Sequence, residues 1–282
     1  MTGIAYVNGR FLPMGEATVG IEDRGLQFAD SIYEVILVAG GYPVDAAGHY
    51  DRLFRSMARL GFERQPAREG IEGVVARLIT ENRTTDGTVY IQVTSGVAPR
   101  ALLPRPAHGP NVIAYTRPLS IGELDPAKAL AIASVPDIRW GRCDIKTTAL
   151  VANALTRLRA QRSNADDAWL VDRDGFVTES SAANAWIVRN GTAQTRSAGP
   201  EILSGITRER VMLLAAAAGI KVLERKFLVS ECLEADEAFI TSATALLTPV
   251  KSIDGIRIGN KLPGTVTKTL YDSYLDFIRR RR

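Results

Sequence analysis

The chain of 282 residues predicts an α+β fold of two lobes, built from mixed sheets with helices. Three observations predict it. Strand-like and helix-like segments follow one another without the regular alternation of a doubly wound sheet, and no Gly-rich fingerprint opens the chain. Asn-Gly and Asp-Gly turns join short strands directly, as hairpins require. A stretch with two prolines and a glycine, Arg117-Pro-Leu-Ser-Ile-Gly-Glu-Leu-Asp-Pro126, breaks the pattern near residue 120 and marks the best boundary. The length is enough for one large domain or two of moderate size.

The elements follow in order. Residues 4–12 carry Asn8-Gly9 between apolar stretches, a hairpin signal. Ser31 to Ala39 is strand-like and is punctuated by Gly40-Gly41. In 46–61, Tyr50, Leu53, Met57 and Leu60 recur at helical spacing. A second helix covers 69–82. Thr88 to Ser95 alternates as a half-buried strand, and 111–116 is another. Beyond the boundary, 129–135 reads as a strand and 147–165 as a helix. Short strands follow at 168–172, 176–178 and 185–188, joined by Asp-Arg-Asp-Gly and Arg-Asn-Gly turns. A helix over 207–218 ends at Gly219. Strands at 221–227 and 237–242 and a closing helix over 266–279 complete the chain.

Composition narrows the function. Hydrophobic residues make up 46% and charged residues 23%, the balance of an ordinary soluble globular protein. The net charge of +4 is small, and basic residues are scattered apart from Arg279 to Arg282. No aromatic-interleaved basic stripe suggests nucleic acid. Cys143 and Cys232 stand far apart, with no metal spacing and no disulfide framework, which fits a reduced cytoplasm. The first ten residues read as a strand and a turn, not as a signal peptide. No apolar run approaches membrane-spanning length. The histidines are His49 and His108, too few for a multi-His metal centre.

Lys146 is the first chemical candidate. No lysine precedes Lys128, and Lys146 sits where a strand-like stretch runs into an apolar helix. A lysine shifts its pKa readily when desolvated, whereas arginine stays protonated. A deprotonated lysine forms a Schiff base with a carbonyl substrate or with pyridoxal phosphate (PLP). The plainer alternative is a helix-start lysine with its head in water. Four further features would complete a PLP site. Glu179 lies among apparent strands, where a carboxylate is costly unless paired, and PLP needs an acidic partner at its ring nitrogen. Its plainer reading is a strand glutamate facing water. Arg52 lies one residue off the apolar stripe of its helix, and a forked guanidinium suits a phosphate; a surface arginine paired with Asp51 is the alternative. Ser204-Gly205-Ile206-Thr207 opens a helix and offers free N–H groups to an anion, or is a plain N-cap turn. Thr241-Ser242-Ala243-Thr244 ends a strand and can close a phosphate cup, or is a polar strand-end turn.

Together these stretches resemble the fold-type IV PLP enzymes, and D-amino-acid aminotransferases in particular. The matching segments are Glu22 to Val35, His49 to Leu53, Gln92 to Gly96, Asp137 to Lys146, Thr178-Glu179, Ile202 to Arg208, Phe239 to Ser242 and Thr248 to Val250. They span almost the whole chain in the family's order. The resemblance implies an active site between two lobes, with residues 1–118 a small N-terminal α+β domain, 119–125 a linker and 126–282 a large PLP-binding domain. It implies that Lys146 is the Schiff-base lysine and proton shuttle, and that Glu179 partners the pyridine nitrogen. It implies that Arg52, Ile206, Thr207, Ser242 and Ala243 surround the phosphate and that Leu203 packs behind the ring. Tyr33, Val35, Arg100 and Leu102 fall at substrate-binding positions. The implied assembly is a homodimer whose partner subunit builds part of the pocket.

The departures are as informative. The D-amino-acid enzymes usually show Arg-x-His in the loop after Val-Thr-x-Gly; here Arg100 is present and Leu102 replaces the histidine. A substrate carboxylate without one partner is held less firmly, by about 1–3 kcal/mol in a buried site. Leu102 also makes that side of the pocket more apolar, so relaxed specificity extending to (R)-amines is expected. Ser95 stands where an arginine is common. Ala182 and Ala183 replace hydroxyl-bearing residues and Ala243 a threonine, so weaker PLP binding is expected. The implied function is a ping-pong transaminase moving an amino group between a D-amino acid and a 2-oxo acid. A branched-chain L-amino-acid aminotransferase, an aminodeoxychorismate-type PLP lyase and a non-catalytic phosphate-binding or protein-binding chain are the alternatives.

Overall fold

The computed structural model describes residues 3–103, 109–122 and 128–280. Residues 123–125 of the expected linker, His108 and the last two arginines lie outside them. The chain divides into two compact units. The first comprises Met1–Ile121, Ile145–Ala149 and Ile278–Arg282, the second Gly122–Asp144 and Leu150–Phe277.

The first unit contains β1 (Ile4–Val7), β2 (Arg10–Pro13), α1 (Arg24–Phe28), β3 (Ser31–Ala39), β4 (Tyr42–Pro43), α2 (Ala46–Arg59), α3 (Arg68–Glu81), β5 (Gly87–Thr94) and β6 (Asn111–Pro118). Its strands form one antiparallel sheet in the order β2-β1-β6-β5-β3-β4. The β1–β2 turn is the expected Asn-Gly turn: Asn8 and Gly9 both take positive φ, 47° and 88°. Alternation along β3 fixes the two faces of the sheet. Ile32, Glu34 and Ile36 point to one side with Val89, Ile91 and Val93 of β5; there the apolar residues of both strands pack on Leu53 and Met57 of α2 and on Val75 and Leu78 of α3. Each such side chain contributes about 1.5–3 kcal/mol by leaving water. Tyr33 and Val35 point to the opposite side.

Glu34 is a carboxylate on the dry face, with no exposed surface. It is there because α2 supplies its partners. Arg52 forks onto it, Nε donating to Oε1 at 2.7 Å and Nη2 to Oε2 at 2.9 Å. His49 Nδ1 lies 2.8 Å from Oε2. Arg52 is therefore buried and paired with Glu34, not a surface arginine paired with Asp51, which instead meets Arg68. Burial alone would raise the Glu34 carboxyl, but the Arg52 charge and the bonds from Arg52 and His49 outweigh it and hold the group far below the usual glutamate range.

The second unit contains β7 (Leu130–Pro136), α4 (Val151–Arg162), β8 (Asp167–Val171), β9 (Val177–Ser180), β10 (Asn184–Arg189), β11 (Thr192–Thr195), α5 (Ile206–Ala217), β12 (Val222–Glu224), α6 (Val229–Leu233), β13 (Glu237–Ser242), β14 (Leu246–Ile253), β15 (Ile256–Arg257) and α7 (Thr265–Arg279). The sheet runs β12-β11-β10-β13-β14-β7-β8-β9, with β15 on β14. It is mixed: β11–β12, β14–β7 and β7–β8 are parallel, the rest antiparallel. Trp169, Phe227, Ile240 and Val250 build its core.

Three expectations change. The helix expected from residue 147 starts at Val151, because Thr147 bridges Ile32 and the Thr148 N–H donates to the Ser31 carbonyl, so both residues belong to the edge of β3. The strand expected over 221–227 covers only Val222–Glu224. β14 was not expected. It holds Pro249 in a central strand, a position proline rarely takes, with a register shift just beyond it between Val250 and Ser252.

Glu34→Ala is expected to lower the unfolding free energy by about 3–5 kcal/mol, since it breaks a buried ion pair by removing one partner. The depressed carboxyl of the parent makes its contribution complete above the ordinary value of 4.5 and lost as pH falls below that toward the folded value. Denaturant titrations at neutral pH and about one unit below that ordinary value check both: the difference between parent and variant should shrink at the lower pH, and an unchanged difference contradicts the assignment.

Candidate cofactor and substrate site

The first unit presents a wet face to chemistry. Lys146 is placed on it by strand pairing. The Tyr33 N–H donates to the Lys146 carbonyl at 2.9 Å, and Ile32 bridges Thr147. Ile145 and Thr147 are buried, and Lys146 between them is half-buried. Its Nζ lies 4.2 Å from the centroid of the Tyr33 ring. That ring stacks on Tyr90 at 5.7 Å, and Tyr90 on Tyr115 at 5.0 Å. Val35 lies one pleat along the same face, opposite Tyr90. The sequence-derived candidates Lys146, Tyr33 and Val35 therefore share one face of one sheet.

Arg100 and Leu102 are placed elsewhere in that unit. Arg100 is exposed and its guanidinium lies 5.4 Å from the Phe28 ring centroid; Leu102 is 76% exposed. The loop that carries them is anchored by a residue that sequence reasoning missed. Buried Arg24 donates to the carbonyls of Ala101 and Leu102 at 2.6 and 3.2 Å, and to Asp30 Oδ2 at 2.9 Å. Ser95 donates to the same Asp30 oxygen at 2.7 Å. Where an arginine is common in the family that the sequence resembles, Ser95 instead braces the loop.

Glu179 anchors a buried polar cluster of the second unit. It is 5% exposed, on β9, so it is not a strand glutamate facing water. Its Oε1 accepts from Asn184 Nδ2 and from the Leu203 N–H, both at 2.9 Å. Its Oε2 accepts from Arg139 Nη1. Arg139 also forks onto Asp137, Nε at 3.0 Å and Nη2 at 2.8 Å, and Nη2 donates to the Glu201 carbonyl at 2.9 Å. Burial opposes charge at this guanidinium, but Asp137 and Glu179 outweigh it and raise its affinity for the proton. At Asp137 burial raises the carboxyl, and Arg139 and the Thr178 hydroxyl more than reverse it. Cys143 stays a neutral thiol, pushed up to about 11 chiefly by burial.

Asn184 ties the rest together. Its Nδ2 also donates to the Leu203 carbonyl at 2.8 Å, and it pairs in register with Thr241, next to Ser242. A Cβ on Gly205 would come within 2.1 Å of Asn184 Oδ1, so α5 begins packed against this side chain. The N-cap Gly205 supplies no side-chain hydrogen bond, and Ile206 and Thr207 open the helix, both buried. Ser242 is half-buried; its Oγ accepts from the Ala245 N–H at 3.0 Å, and Ala243 follows in the same turn. Thus Glu179, Leu203 and Gly205, the residue before Ile206 and Thr207, are gathered around Asn184. Sequence reasoning missed Arg139 and Asn184. The only signals were Asp137 two residues before the arginine, and an amide at the start of a strand.

The donors fit pyridoxal phosphate. In the second unit an uncapped helix start backed by a glycine suits a phosphate and a buried carboxylate suits a protonated ring nitrogen; in the first, taken by itself, a lysine amine lies on an aromatic face. The guanidinium of Arg52 comes already forked to Glu34, so any phosphate would share it; a guanidinium carries more donors than one carboxylate accepts.

Comparison with known proteins agrees with this chemistry. Residues 31–253 match the family model of amino-transferase class IV. A protein named D-alanine aminotransferase from Bacillus licheniformis is 38% identical over 93% of this chain and 93% of its own. One of the same name from Listeria innocua is 36% identical, covering 97% of this chain and 96% of its own. Among solved structures, a T.th. branched-chain amino acid aminotransferase complexed with N-(5'-phosphopyridoxyl)-L-glutamate superposes with a TM-score of 0.90 at 26% identity, over 100% of this chain and 96% of that one. With the match running through both units and the relatives aligned almost end to end, the chain belongs to the class IV aminotransferases.

Proposed function

We propose that the protein is a PLP-dependent transaminase that moves an amino group between a D-amino acid and a 2-oxo acid in a ping-pong cycle. Lys146 carries this reading: it is a lysine whose backbone is pinned by β3 and whose amine rests on the Tyr33 ring. The curated relatives named D-alanine aminotransferase support it at 36% and 38% identity. The branched-chain alternative rests on solved structures that share the fold at 22% and 26% identity. No helix among the described residues is long and apolar enough to cross a membrane.

When bound, PLP supplies an aldehyde that captures amines and a ring that takes up the electron pair released at the substrate's Cα. The chain's own groups do the rest. Lys146 Nζ anchors the group and then carries the proton away from Cα as general base. Glu179 accepts the hydrogen bond of the ring nitrogen and keeps the proton there. The N–H groups of Ile206 and Thr207, with Ser242 and Arg52, hold the phosphate, and Leu203 backs the ring. Tyr33 and Val35 line the substrate side, and Arg100 takes the substrate carboxylate. Residues 1–118 serve as the substrate-side domain and 126–282 as the cofactor domain. The working form is a cytoplasmic homodimer in which the Arg100 loop completes the partner's pocket. With Leu102 in place of a carboxylate-binding histidine, (R)-amines are accepted beside D-amino acids.

Four measurements check this reading. Holoenzyme mixed in turn with D-alanine, D-glutamate, L-leucine, L-glutamate and (R)-phenylethylamine should lose its visible cofactor absorbance with the D-amino acids and the (R)-amine; bleaching by L-leucine alone would restore the branched-chain reading. Lys146→Ala should lower turnover by at least about 10²–10⁴-fold, the scale of a lost general base, while some PLP stays bound; parent-like turnover removes the assigned role. Leu102→His should raise the kcat/KM ratio of D-alanine over (R)-phenylethylamine by about tenfold, one added hydrogen bond to a carboxylate. Ala243→Thr should tighten PLP binding to the apoenzyme by about fivefold through one added hydroxyl, and equal affinity would show that the turn does not reach the phosphate.

A further inference from the structure

The phosphate end of the proposed site rests on the first turn of α5. Anion binding there depends on where the free N–H groups point, because hydrogen bonds weaken steeply when misaligned. A helix start that leaves those groups free forgoes the side-chain cap that usually satisfies them, so other contacts must keep it in place. Gly205 supplies no such cap. It lies so close to Asn184 that an added Cβ would come within 2.1 Å of Oδ1. A second contact comes from Arg208, the third residue of the helix, which is 2% exposed.

Arg208 Nη2 donates to the Arg196 carbonyl at 2.9 Å and to Glu224 Oε2. The Glu224 side chain is 42% exposed, and an ion pair open to water contributes little. The buried bond to the Arg196 carbonyl is therefore the stronger restraint on the turn. Arg196 is itself well held. Just before it, the Thr195 carbonyl accepts from the Arg225 N–H and the Thr195 hydroxyl donates to the Ala185 carbonyl, both at 2.9 Å. Its own side chain is 3% exposed, and Nη1 donates to Asp172 Oδ2 at 2.9 Å and to the Val177 carbonyl at 3.3 Å. Val177 opens β9, the strand of Glu179. One residue thus serves as a common reference for the start of α5 and for the strand that carries the buried carboxylate.

Resting on the reading of α5 given above, we propose that Arg208 is a positioning residue for the cofactor's phosphate: by tying the first turn of α5 to the Arg196 carbonyl, it keeps the Ile206 and Thr207 N–H groups directed at that anion. The role is confined to the phosphate end. A ligand with the same ring and aldehyde but no phosphate is indifferent to it, whereas free phosphate shares the dependence.

The test compares three ligands on the full chain as apoprotein: PLP, pyridoxal, which lacks the phosphate, and inorganic phosphate, read through its competition with PLP. In the parent, PLP should bind far more tightly than pyridoxal, and phosphate should compete. Arg208→Met keeps an unbranched stem and loses the donors. There PLP and phosphate should each weaken by about tenfold, the loss of one charge-assisted hydrogen bond, while pyridoxal stays within about twofold of the parent. Arg208→Lys, which keeps a charged donor, should recover part of the loss. If Arg208→Met does not fold, Arg208→Lys carries the test, with a loss of about threefold confined to PLP and phosphate. An unchanged ratio of PLP to pyridoxal affinity in whichever variant folds overturns the proposal. So does an equal loss of both, since an arginine that merely stabilises the fold would weaken them alike. A parent that binds pyridoxal as tightly as PLP would overturn the phosphate reading of α5 itself, a failure distinct from that of Arg208.

Discussion

The pairing of residues 145–148 with the first residues of β3 is the constraint on which the chemistry of the first unit depends. It consists of little: the Tyr33 N–H on the Lys146 carbonyl, a bridge between Ile32 and Thr147, and the Thr148 N–H on the Ser31 carbonyl. Yet it sets the register, and strand register decides which way every side chain points. Ile145 enters the apolar core, Lys146 emerges beside Tyr33, and Thr147 is buried again. A slip of one residue would drive the amine into hydrocarbon and bring Ile145 to the tyrosines. The apolar residue before the lysine and the β-branched residue after it both resist that slip. The Ser31 and Thr148 hydroxyls meet across the same seam.

Each unit buries carboxylates, and the two arrangements differ. Glu34 is closed off: a forked guanidinium and an imidazole account for both of its oxygens, and nothing about it invites a ligand. Its effect is to fix Arg52, and with it the phase of α2 against β3. Glu179 is held differently: two neutral donors meet one oxygen, and a guanidinium shared with Asp137 meets the other. Neutral hydrogen bonds orient a carboxylate while leaving its charge available. A fully forked partner like that of Glu34 would have made Glu179 a poor acceptor for a ring nitrogen.

Much of this was legible in the sequence where periodicity and turn chemistry agree. Asn8-Gly9 specified its hairpin, the alternation of β3 separated Tyr33 and Val35 from Ile32 and Glu34, and the apolar stripe of α2 fixed its phase. The errors arose where a distant partner decides. Thr147 and Thr148 sit before a sound helical pattern, yet their backbone is claimed by a strand far earlier in the chain, so α4 starts late. Pro249 argues against a central strand, and β14 accommodates it beside a register shift. Arg139 and Asn184 looked like ordinary residues because what distinguishes them is contact with Glu179, which no local pattern encodes. Lys146 and Glu179 stood out in the sequence because each residue type is costly or unusual in its setting; a buried amide is neither.

The loop after β5 shows why substrate preference is harder to read than cofactor chemistry. Its backbone is firmly held: Arg24 bonds two successive carbonyls, and Asp30 joins Arg24 to Ser95. Such bracing is expensive in buried polar groups, and a loop free to wander would not need it. Yet the side chains it carries outward, Arg100 and Leu102, lie exposed on this chain, one over Phe28 and the other largely in water. A fixed backbone with an exposed leucine at its tip is suited to a surface that arrives from outside the chain. Under the proposed dimer that surface is the partner's pocket, and the substitution at Leu102 then acts on a substrate bound to the other subunit's lysine. Under that proposal, discrimination between a carboxylate and a methyl group would depend on residues of the other subunit's loop.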